Sequence, residues 1–371
     1  LAVTLNLLVG VLISVLFLIF SKQMMVAMNL EGEVLVYATK YLGIVGGAIF
    51  LQAIINSLAA IVRVHGWTKA AMYVSLGMNV IHIIGNYVLI FGKFGMPALG
   101  VQGAAISSVG SRMIALIFFF LLLYRVLEVR IQVRDYFTLS KKYIMKILKI
   151  GVPSAFEQVM YQTCQLVFLF YITYLGAETL AARQYANNIS MFTYLFSIAV
   201  GMGTSIIVGR LVGGNAKEEA YVRVWHSVRW SLLITTMMVI LVIIFRAPLI
   251  GLFTDNPVVF EMATNVLIFG LLLETGRSIN IVLVNSLRAA GDAKYPLMIG
   301  AFSMVMMSLP LGYFLVFTLE LGLVGIWLAI AADEWLRATI FFFRWRSKKW
   351  KKHSLVEPED VEEDLPSTSL I

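Results

Sequence analysis

The stretch GLLLETGRSINIVL, from Gly270 to Leu283, lies in a long apolar run, yet it carries Glu274, Arg277 and Asn280 near its middle. An apolar run of this length predicts a helix that crosses a hydrocarbon core of about 30 Å. A charged side chain at the bilayer centre costs about 2.5–3.5 kcal/mol on insertion scales, so such residues normally face a cavity or a partner. The stretch therefore predicts a membrane helix with one polar side.

The whole sequence shares this apolar character. It is 60% hydrophobic and 13% charged, with a mean hydropathy of +0.87, whereas a soluble domain carries about 25% charged residues. Backbone groups in lipid must be satisfied internally, which favours helices, and the runs are too long for the strands of a membrane barrel. We therefore predict an all-α, polytopic membrane protein. Its predicted spans are residues 1–22, 35–61, 70–91, 101–124, 145–174, 180–209, 226–250, 260–287, 296–318 and 323–345.

The distribution of charge predicts the orientation. Most of the 29 Lys and Arg residues fall in one set of alternate loops and in the C-terminal tail. By the positive-inside rule this side faces the cytoplasm, so we predict a multi-pass protein of a bacterial cell membrane with a cytoplasmic C-terminus. The basic segment RWRSKKWKK (Arg344–Lys352) would then lie at the inner leaflet, where anionic lipid attracts it. The net charge of +8 is thereby explained by a lipid bilayer as partner, without nucleic acid. The acidic tail that follows is predicted to be disordered.

An internal repeat relates the first four predicted spans to the last four. The pattern Arg63-x-x-Gly66-x-x-Lys69 recurs as Arg288-x-x-Gly291-x-x-Lys294, and Leu99-Gly100-x-x-Gly103 recurs as Leu321-Gly322-x-x-Gly325. Such repeats are typical of secondary transporters. Because the fifth and sixth spans have no upstream counterpart, we expect a twelve-helix protein whose first two helices are absent from this sequence. The expected parts are a four-helix N-terminal lobe (1–124), a cytoplasmic interlobe linker (125–144), a pseudo-symmetric six-helix C-terminal lobe (145–345) and a cytoplasmic tail (346–371).

Polar residues recur at helical spacing and predict a hydrated cavity inside the bundle. In the second half, the candidate cavity residues are Gln158, Tyr161, Arg183, Asn187, Tyr194, Arg277, Ser278, Asn280 and Asn285. In the first half they are Asn79 and His82. His82 can titrate near neutral pH, or it can be a hydrogen-bonded contact between helices.

Two acidic residues are the candidates for cation coupling and possible Na⁺ ligands. Glu274 and Arg277, spaced i,i+3, can form a static pair, or Glu274 can belong to a cation site that Arg277 tunes. Glu157 has no basic residue near it in sequence, and a carboxylate in a low-dielectric site can carry a proton or bind sodium. Arg183 is the alternative, purely structural partner for Glu157.

We interpret the remaining charged residues of the spans as structural. Asp333, Glu334 and Arg337 are interpreted as local pairs near the end of the last span. No metalloprotease motif, nucleophile elbow or phosphate loop is found, so we predict that the protein is not an enzyme and needs no cofactor beyond the coupling ion.

Four stretches resemble the multidrug and toxic compound extrusion (MATE) family. They are GVPSAFEQ (Gly151–Gln158), GRLVGGNAKEEA (Gly209–Ala220), LETGRSINIVLVNSLRAAGDAKYP (Leu273–Pro296) and LGLVGIW (Leu321–Trp327). They resemble the family's seventh, eighth, tenth and twelfth helices. The resemblance implies two six-helix lobes and an alternating-access antiporter that uses a Na⁺ or H⁺ gradient to export varied, often cationic small molecules.

The resemblance also bears on the site. In sodium-coupled members, carboxylates on the seventh and tenth helices contribute to the cation site, and Glu157 matches the first of these. Glu274 matches less closely, because many members carry the second acid about one turn onward, where this chain has Arg277. The identity of the coupling ion therefore stays open.

Two other functions remain as alternatives. A lipid-linked oligosaccharide flippase of the same superfamily would line its cavity with many basic residues, of which Arg112, Arg183 and Arg277 are the candidates here. A channel or non-transporting membrane scaffold would show no gradient-coupled accumulation. We further predict small-molecule substrates and a monomer.

Overall fold

A computed structural model describes residues 1–28, 30–126 and 140–353, which form helices joined by loops. The prediction of an all-α polytopic protein is confirmed. The helices are α1 (Ala2–Ala27), α2 (Gly32–Gly47), α3 (Ile49–Val64), α4 (Thr68–Phe91), α5 (Val101–Val126), α6 (Lys141–Tyr174), α7 (Ala177–Gly213), α8 (Lys217–Ile244), α9 (Arg246–Gly251), α10 (Pro257–Ile268), α11 (Gly270–Ala289), α12 (Lys294–Ser303), α13 (Leu309–Tyr313) and α14 (Gly322–Arg346). Two π-helical segments, Met304–Ser308 and Phe314–Thr318, flank α13, and a 3-10 turn at Lys349–His353 follows α14.

Several helices have the length and apolar character of membrane spans. Among the described residues, α1, α4, α5, α7, α8 and the stretch Lys294–Thr318 qualify, which makes six. Two bent pairs, α2 with α3 and α10 with α11, raise the number to eight if each pair is one span. The two remaining predicted spans correspond to α6 and α14, which are long but carry polar and charged residues within their apolar sequence.

Two predicted spans are broken helices, which corrects the prediction that each is continuous. The span at 35–61 bends by 40° at Ala48, and the span at 260–287 bends by 49° at Phe269. Glycines adjoin both breaks, and glycine disfavours a continuous helix because it leaves the backbone freer. At the first break a Cβ on Gly46 would lie 2.8 Å from the Phe17 side chain, so α1 and α2 approach closely only because this position is glycine.

The chain divides into two compact units, residues 1–144 and 145–371. In the first unit, the fully buried side chains of Leu58, Phe119 and Leu123 form the core where α3 and α5 meet. In the second unit, α11 packs against α7, α8 and α14, with Leu283 and Leu287 fully buried. The predicted domain limits at 124, 145 and 345 stay a prediction. Most of the predicted linker and the acidic tail lie outside the described residues.

The basic segment after α14 folds back onto the second unit. Trp350 is fully buried and stacks on Trp345, with ring centroids 4.2 Å apart. Lys348 lies 2.7 Å from Glu218 at the start of α8, and Lys351 pairs with the same carboxylate. The hydrogen bond from Lys348 to Glu218 raises the pKa of this lysine. These two lysines of RWRSKKWKK therefore form ion pairs within the protein, so anionic lipid is not needed as their partner.

Candidate functional site

The second unit contains two neighbouring cavities. The first, of about 240 Å³, is here named the Glu274 cavity, and the second, of about 340 Å³, is named the Glu157 cavity. The polar residues that line only the Glu274 cavity are Gln165, Arg183, Asn187, Asn188, Ser190, Glu274 and Trp327. Those that line only the Glu157 cavity are Glu157, Gln158, Asn280, Asn285, Arg288, Glu334 and Arg337. Tyr161, Tyr194 and Arg277 line both cavities.

Helical periodicity explains why these residues meet. On α6, Glu157, Tyr161 and Gln165 recur every four residues and so share one face. The same spacing carries Arg183 and Asn187 along α7. The sequence pattern thus predicts which side of each helix is polar. The packing of α11 against α7 and α14 brings the polar sides of these three helices together.

Glu274 and Arg277 form the predicted intrahelical pair. Arg277 Nη1 donates to Glu274 Oε1 at 2.8 Å, and the guanidinium carbon lies 5.0 Å from the centre of the Tyr194 ring. Arg277 Nε also donates to Glu334 Oε1 at 3.4 Å. The pair is therefore part of a larger network that links α11 to α14.

Glu274 is buried and only half satisfied. Its side chain is 1% exposed, and its second oxygen, Oε2, has no hydrogen-bond partner among the described residues. An unsatisfied buried carboxylate oxygen carries a large desolvation cost. Such an atom on a cavity wall is well suited to accept a proton or to bind a cation.

Glu157 has an arginine partner that its sequence neighbourhood does not reveal. Arg288 Nη2 lies 2.7 Å from Glu157 Oε2, although the two residues belong to α6 and α11. The alternative pairing with Arg183 is wrong, because Arg183 donates instead to Gln165 Oε1 at 3.2 Å. Gly300 borders this acid, since a Cβ added there would lie 3.4 Å from Glu157 Cγ.

The charged residues of α14 belong to the site, which sequence reasoning missed. The predicted local pairs exist, with Arg337 2.5 Å from Asp333 and 3.5 Å from Glu334. Glu334 also accepts a hydrogen bond from Asn280 Nδ2 at 2.6 Å, and both Glu334 and Arg337 line the Glu157 cavity. The sequence did carry a signal for this role: three charged residues lie within one apolar span, and local pairing alone does not offset their energetic cost in the membrane.

The charges of this network do not cancel. Its carboxylates are Glu157, Glu274, Asp333 and Glu334, and the arginines paired with them are Arg277, Arg288 and Arg337. Four acids against three guanidinium groups leave one negative charge when all are ionised. A single proton or monovalent cation would neutralise the network.

Glu157 and Glu274 line different cavities, although both were predicted to contribute to cation coupling. Among the described residues, no group of three or more His, Cys, Asp or Glu side chains is placed to hold a metal ion. Because the two acids line different cavities, the arrangement does not fit a single Na⁺ held jointly by them. It fits one cation at Glu274 or at Glu157, with the two positions separated by Tyr161, Tyr194 and Arg277.

The remaining candidates of the second unit occupy distinct places. Ser278 is fully buried and lines neither cavity, because its hydroxyl lies 2.8 Å from that of Ser231 in a cluster with Ser197 and Thr235. Asn285 lines the Glu157 cavity while its Nδ2 donates to Ile281 O of its own helix. Ser278 is thus placed for helix packing and not for contact with a ligand.

Asn79 and His82 lie in the first unit. They line a small cavity of about 130 Å³ together with Gln52 and Arg112. His82 Nε2 lies 2.9 Å from the Ser108 hydroxyl. His82 on α4 thus forms a hydrogen-bonded contact with α5, the second of the two roles predicted for it.

Comparison with known proteins bears on the family. The sequence matches the family profile described as MatE over residues 1–88 and 153–314. The "Uncharacterized transporter YisQ" of Bacillus subtilis is 39% identical, over 93% of this chain and 76% of that protein. The "Probable multidrug resistance protein NorM" of Thermotoga maritima is 29% identical, over 90% of this chain and 72% of that protein. The expectation that two further helices precede Leu1 stays a prediction.

Solved structures share the fold. The chain superimposes with a TM-score of 0.85 and 21% identity on an "outward-facing conformation of a multidrug resistance MATE family transporter of the MOP superfamily", covering 95% of this chain and 78% of that one. A second match, with a TM-score of 0.81 and 20% identity over 93% of this chain and 77% of that one, is a MOP superfamily transporter from Pyrococcus furiosus described by the reverse polarity of its binding pocket.

Proposed function

Since the chain belongs to the MatE family of membrane transporters, we propose that it is a cation-coupled antiporter that uses a Na⁺ or H⁺ gradient to export varied, often cationic small molecules by alternating access. Relatives named as multidrug resistance proteins support the substrate class. In this proposal Glu157 and Glu274 carry the coupling cation, and the protein needs no other cofactor.

One observation carries the proposal: Glu274 is a buried, half-satisfied carboxylate on the wall of a cavity within a membrane-embedded bundle. Because burial disfavours an ionised carboxylate, the proton-bound or cation-bound state of Glu274 and its empty state differ in free energy. A bound ion shifts a conformational equilibrium only by its differential affinity for the two states. A buried carboxylate with one arginine partner and one unsatisfied oxygen can supply that difference.

The cavity walls suit organic cations. Tyr161, Tyr194 and Trp327 present aromatic surface beside carboxylates, and aromatic faces attract cations within about 6 Å of the ring centre. Met191 and Met202 add unbranched, adaptable side chains to the two cavities. This combination favours ligands that vary in shape but share a positive charge.

The same surroundings disfavour the flippase alternative. A pyrophosphate head group needs cationic donors that are free to bind it, whereas three of the four arginines on the walls of the two cavities, Arg277, Arg288 and Arg337, are already paired with carboxylates. The remaining arginine, Arg183, has the neutral Gln165 as its hydrogen-bond partner and no carboxylate at ion-pair distance among the described residues. A lipid-flipping assay with the purified protein, run beside the export assay, distinguishes the two functions.

The protein is a multi-pass membrane protein related to bacterial transporters, and we propose a cytoplasmic C-terminus in a bacterial cell membrane. The basic residues at the end of α14 support this orientation. We also propose that it acts as a monomer in the bilayer on small molecules, without nucleic acid.

The test is export by the full-length protein in proteoliposomes loaded with ethidium, with Na⁺ and pH gradients imposed separately. We expect Glu157→Gln to slow gradient-driven efflux by at least about tenfold, because the neutral amide takes up no proton, attracts a cation much less than a carboxylate does and leaves Arg288 without an ion-pair partner. The matched control is Glu219→Gln, an exposed glutamate in the first turn of α8, which should transport like the parent protein. Equal export by Glu157→Gln would contradict the assignment, and no gradient-driven accumulation in the parent would favour a channel or scaffold.

A further inference from the structure

Arg277 occupies the boundary between two acids and two cavities. It lies 2.8 Å from Glu274, which lines only the Glu274 cavity, and 3.4 Å from Glu334, which lines only the Glu157 cavity. The guanidinium is itself part of both cavity walls. One resident cation is thus shared by two carboxylates on different helices, and a small side-chain movement changes which of them it neutralises.

The two acids depend on Arg277 to different degrees. Glu334 also has a hydrogen bond from Asn280 at 2.6 Å and the Arg337 guanidinium at 3.5 Å. Glu274 has Arg277 as its one charged partner among the described residues, and its Oε2 is buried without a hydrogen bond. If Arg277 moves toward Glu334, Glu274 becomes an unpaired buried charge, whereas movement toward Glu274 leaves Glu334 with two donors.

An unpaired charge in such a place does not persist. Its desolvation cost forces it to take up a proton or a cation. The other charged or titratable groups on the walls of the Glu274 cavity are Arg183, Tyr161 and Tyr194, none of which carries a positive charge to Glu274 at ion-pair distance. The replacement for Arg277 must therefore come from the cavity.

We propose that Arg277 is an intramolecular competitor for the coupling cation: it leaves Glu274 for Glu334 when a proton or Na⁺ binds Glu274, and it returns when that cation dissociates. The inference rests on the proposed function, because it takes Glu274 as a cation site. It adds two positioning residues, Arg277 and Glu334, and it explains how a family member can carry an arginine beside its acid. The guanidinium keeps Glu274 neutralised whenever the cation is absent.

Competition makes two single substitutions act in opposite directions. Without its side-chain charge, Arg277→Met cannot compete, so the half-saturating cation concentration should fall by about tenfold or more. Glu334→Gln weakens the alternative position of Arg277, which then stays on Glu274, so the half-saturating concentration should rise. Arg277→Lys keeps a competing charge and should stay close to the parent protein.

The experiment measures cation binding without any drug. Purified full-length protein in lipid nanodiscs is titrated with Na⁺ at constant alkaline pH and, separately, with protons in Na⁺-free choline buffer, with tryptophan fluorescence as the readout. Trp327 lines the Glu274 cavity and its indole nitrogen has no hydrogen-bond partner among the described residues, so it reports occupation of this cavity. Glu274→Gln identifies the part of the response that belongs to Glu274.

The outcomes separate the two proposals. Opposite shifts for Arg277→Met and Glu334→Gln support competition, whereas shifts in one direction or no shift overturn it. Loss of the response in Glu274→Gln together with unshifted Arg277 and Glu334 variants overturns only this inference. A response that Glu274→Gln leaves intact, or no response of the parent to either ion, overturns the cation site itself. If Arg277→Met fails to fold, the double variant Arg277→Met/Glu334→Gln takes its place, because it removes one charge of each sign. This double variant should still bind the cation more tightly than Glu334→Gln does. Equal binding of the cation by the two variants overturns competition.

Discussion

Ion pairs that cross between helices define this site more than any single acid does. Glu157 on α6 meets Arg288 on α11, and Glu334 on α14 meets Arg277 on α11. Removing one partner of a buried pair typically costs about 3–5 kcal/mol, because the other charge is left uncompensated. The arginines of α11 are therefore as important to the cavities as the carboxylates they hold.

A charge reversal of the Glu157–Arg288 pair tests whether the carboxylate acts beyond pairing. We expect Glu157→Arg and Arg288→Glu each to reduce the yield of folded protein, since each places two like charges in contact. The double exchange restores the pair and should recover folding, measured by monodisperse elution and thermal unfolding in detergent.

Transport by that double variant then decides the role of Glu157. Gradient-driven ethidium efflux should stay low in the folded double variant, because the carboxylate has moved from α6 to α11. Full recovery of efflux would mean that Glu157 and Arg288 serve only to hold the two helices together.

Helix α11 is the central element of the second unit, and small residues let it pack closely. A Cβ on Gly276 would lie 2.7 Å from the Trp335 ring, and a Cβ on Gly201 would lie 3.0 Å from Ile281. Where lipid gives no hydrophobic drive, such close contacts and interhelical hydrogen bonds hold helices together. Ser278 contributes to the second kind of contact through the buried hydroxyl cluster with α7 and α8.

The hydroxyl cluster should stabilise the fold without taking part in transport. Ser231→Ala removes the hydroxyl that contacts both Ser197 and Ser278. We expect it to lower the free energy of unfolding by about 0.6 kcal/mol, the average for one interhelical hydrogen bond in a membrane protein, and by no more than about 1.7 kcal/mol, the largest such value, with unchanged efflux. Thermal unfolding in detergent measures the first effect and the proteoliposome assay measures the second.

A serine of α7 provides the comparison for this substitution. Ser205 donates only to Met202 O of its own helix, so Ser205→Ala should unfold at nearly the parent temperature. A stability loss as large as that of Ser231→Ala would show that the interhelical bonds of the cluster are not the cause, and lost efflux in Ser231→Ala would give the cluster a functional role.

The topology of the whole molecule follows from charge and can be tested directly. Cys164 is the single cysteine and is buried, so Cys164→Ala provides a cysteine-free background with one change. In this background Lys349→Cys marks the segment after α14, and Asp255→Cys marks the loop before α10. We expect an impermeant maleimide added to intact cells to label Asp255→Cys alone, and the same reagent on inside-out vesicles to label Lys349→Cys alone.

The reverse labelling pattern would invert the orientation. The predicted spans place an odd number of membrane crossings between residues 255 and 349. Labelling of both positions from the same side would contradict this prediction. Because both cysteines replace exposed residues, their reactivity reports the side of the membrane and not burial.

Hydropathy and helical periodicity predicted much of this molecule. The apolar runs predicted the helices because a backbone in lipid has few alternatives to a helix. The four-residue spacing of Glu157, Tyr161 and Gln165 predicted a polar face, because the period of a helix is fixed. The pair Glu274–Arg277 was predictable for the same reason, since both residues lie on one helix.

The tertiary structure alone decided what crosses between helices. The pairing of Glu157 with Arg288 and of Arg277 with Glu334 depends on how α6, α11 and α14 pack, and sequence spacing carries no information about that packing. The same holds for the division into two cavities, because Tyr161 and Tyr194 line both only after α6 and α7 meet α11. Local chemistry thus determined the helices and their polar sides, whereas long-range packing determined which opposite charges lie within reach of each other.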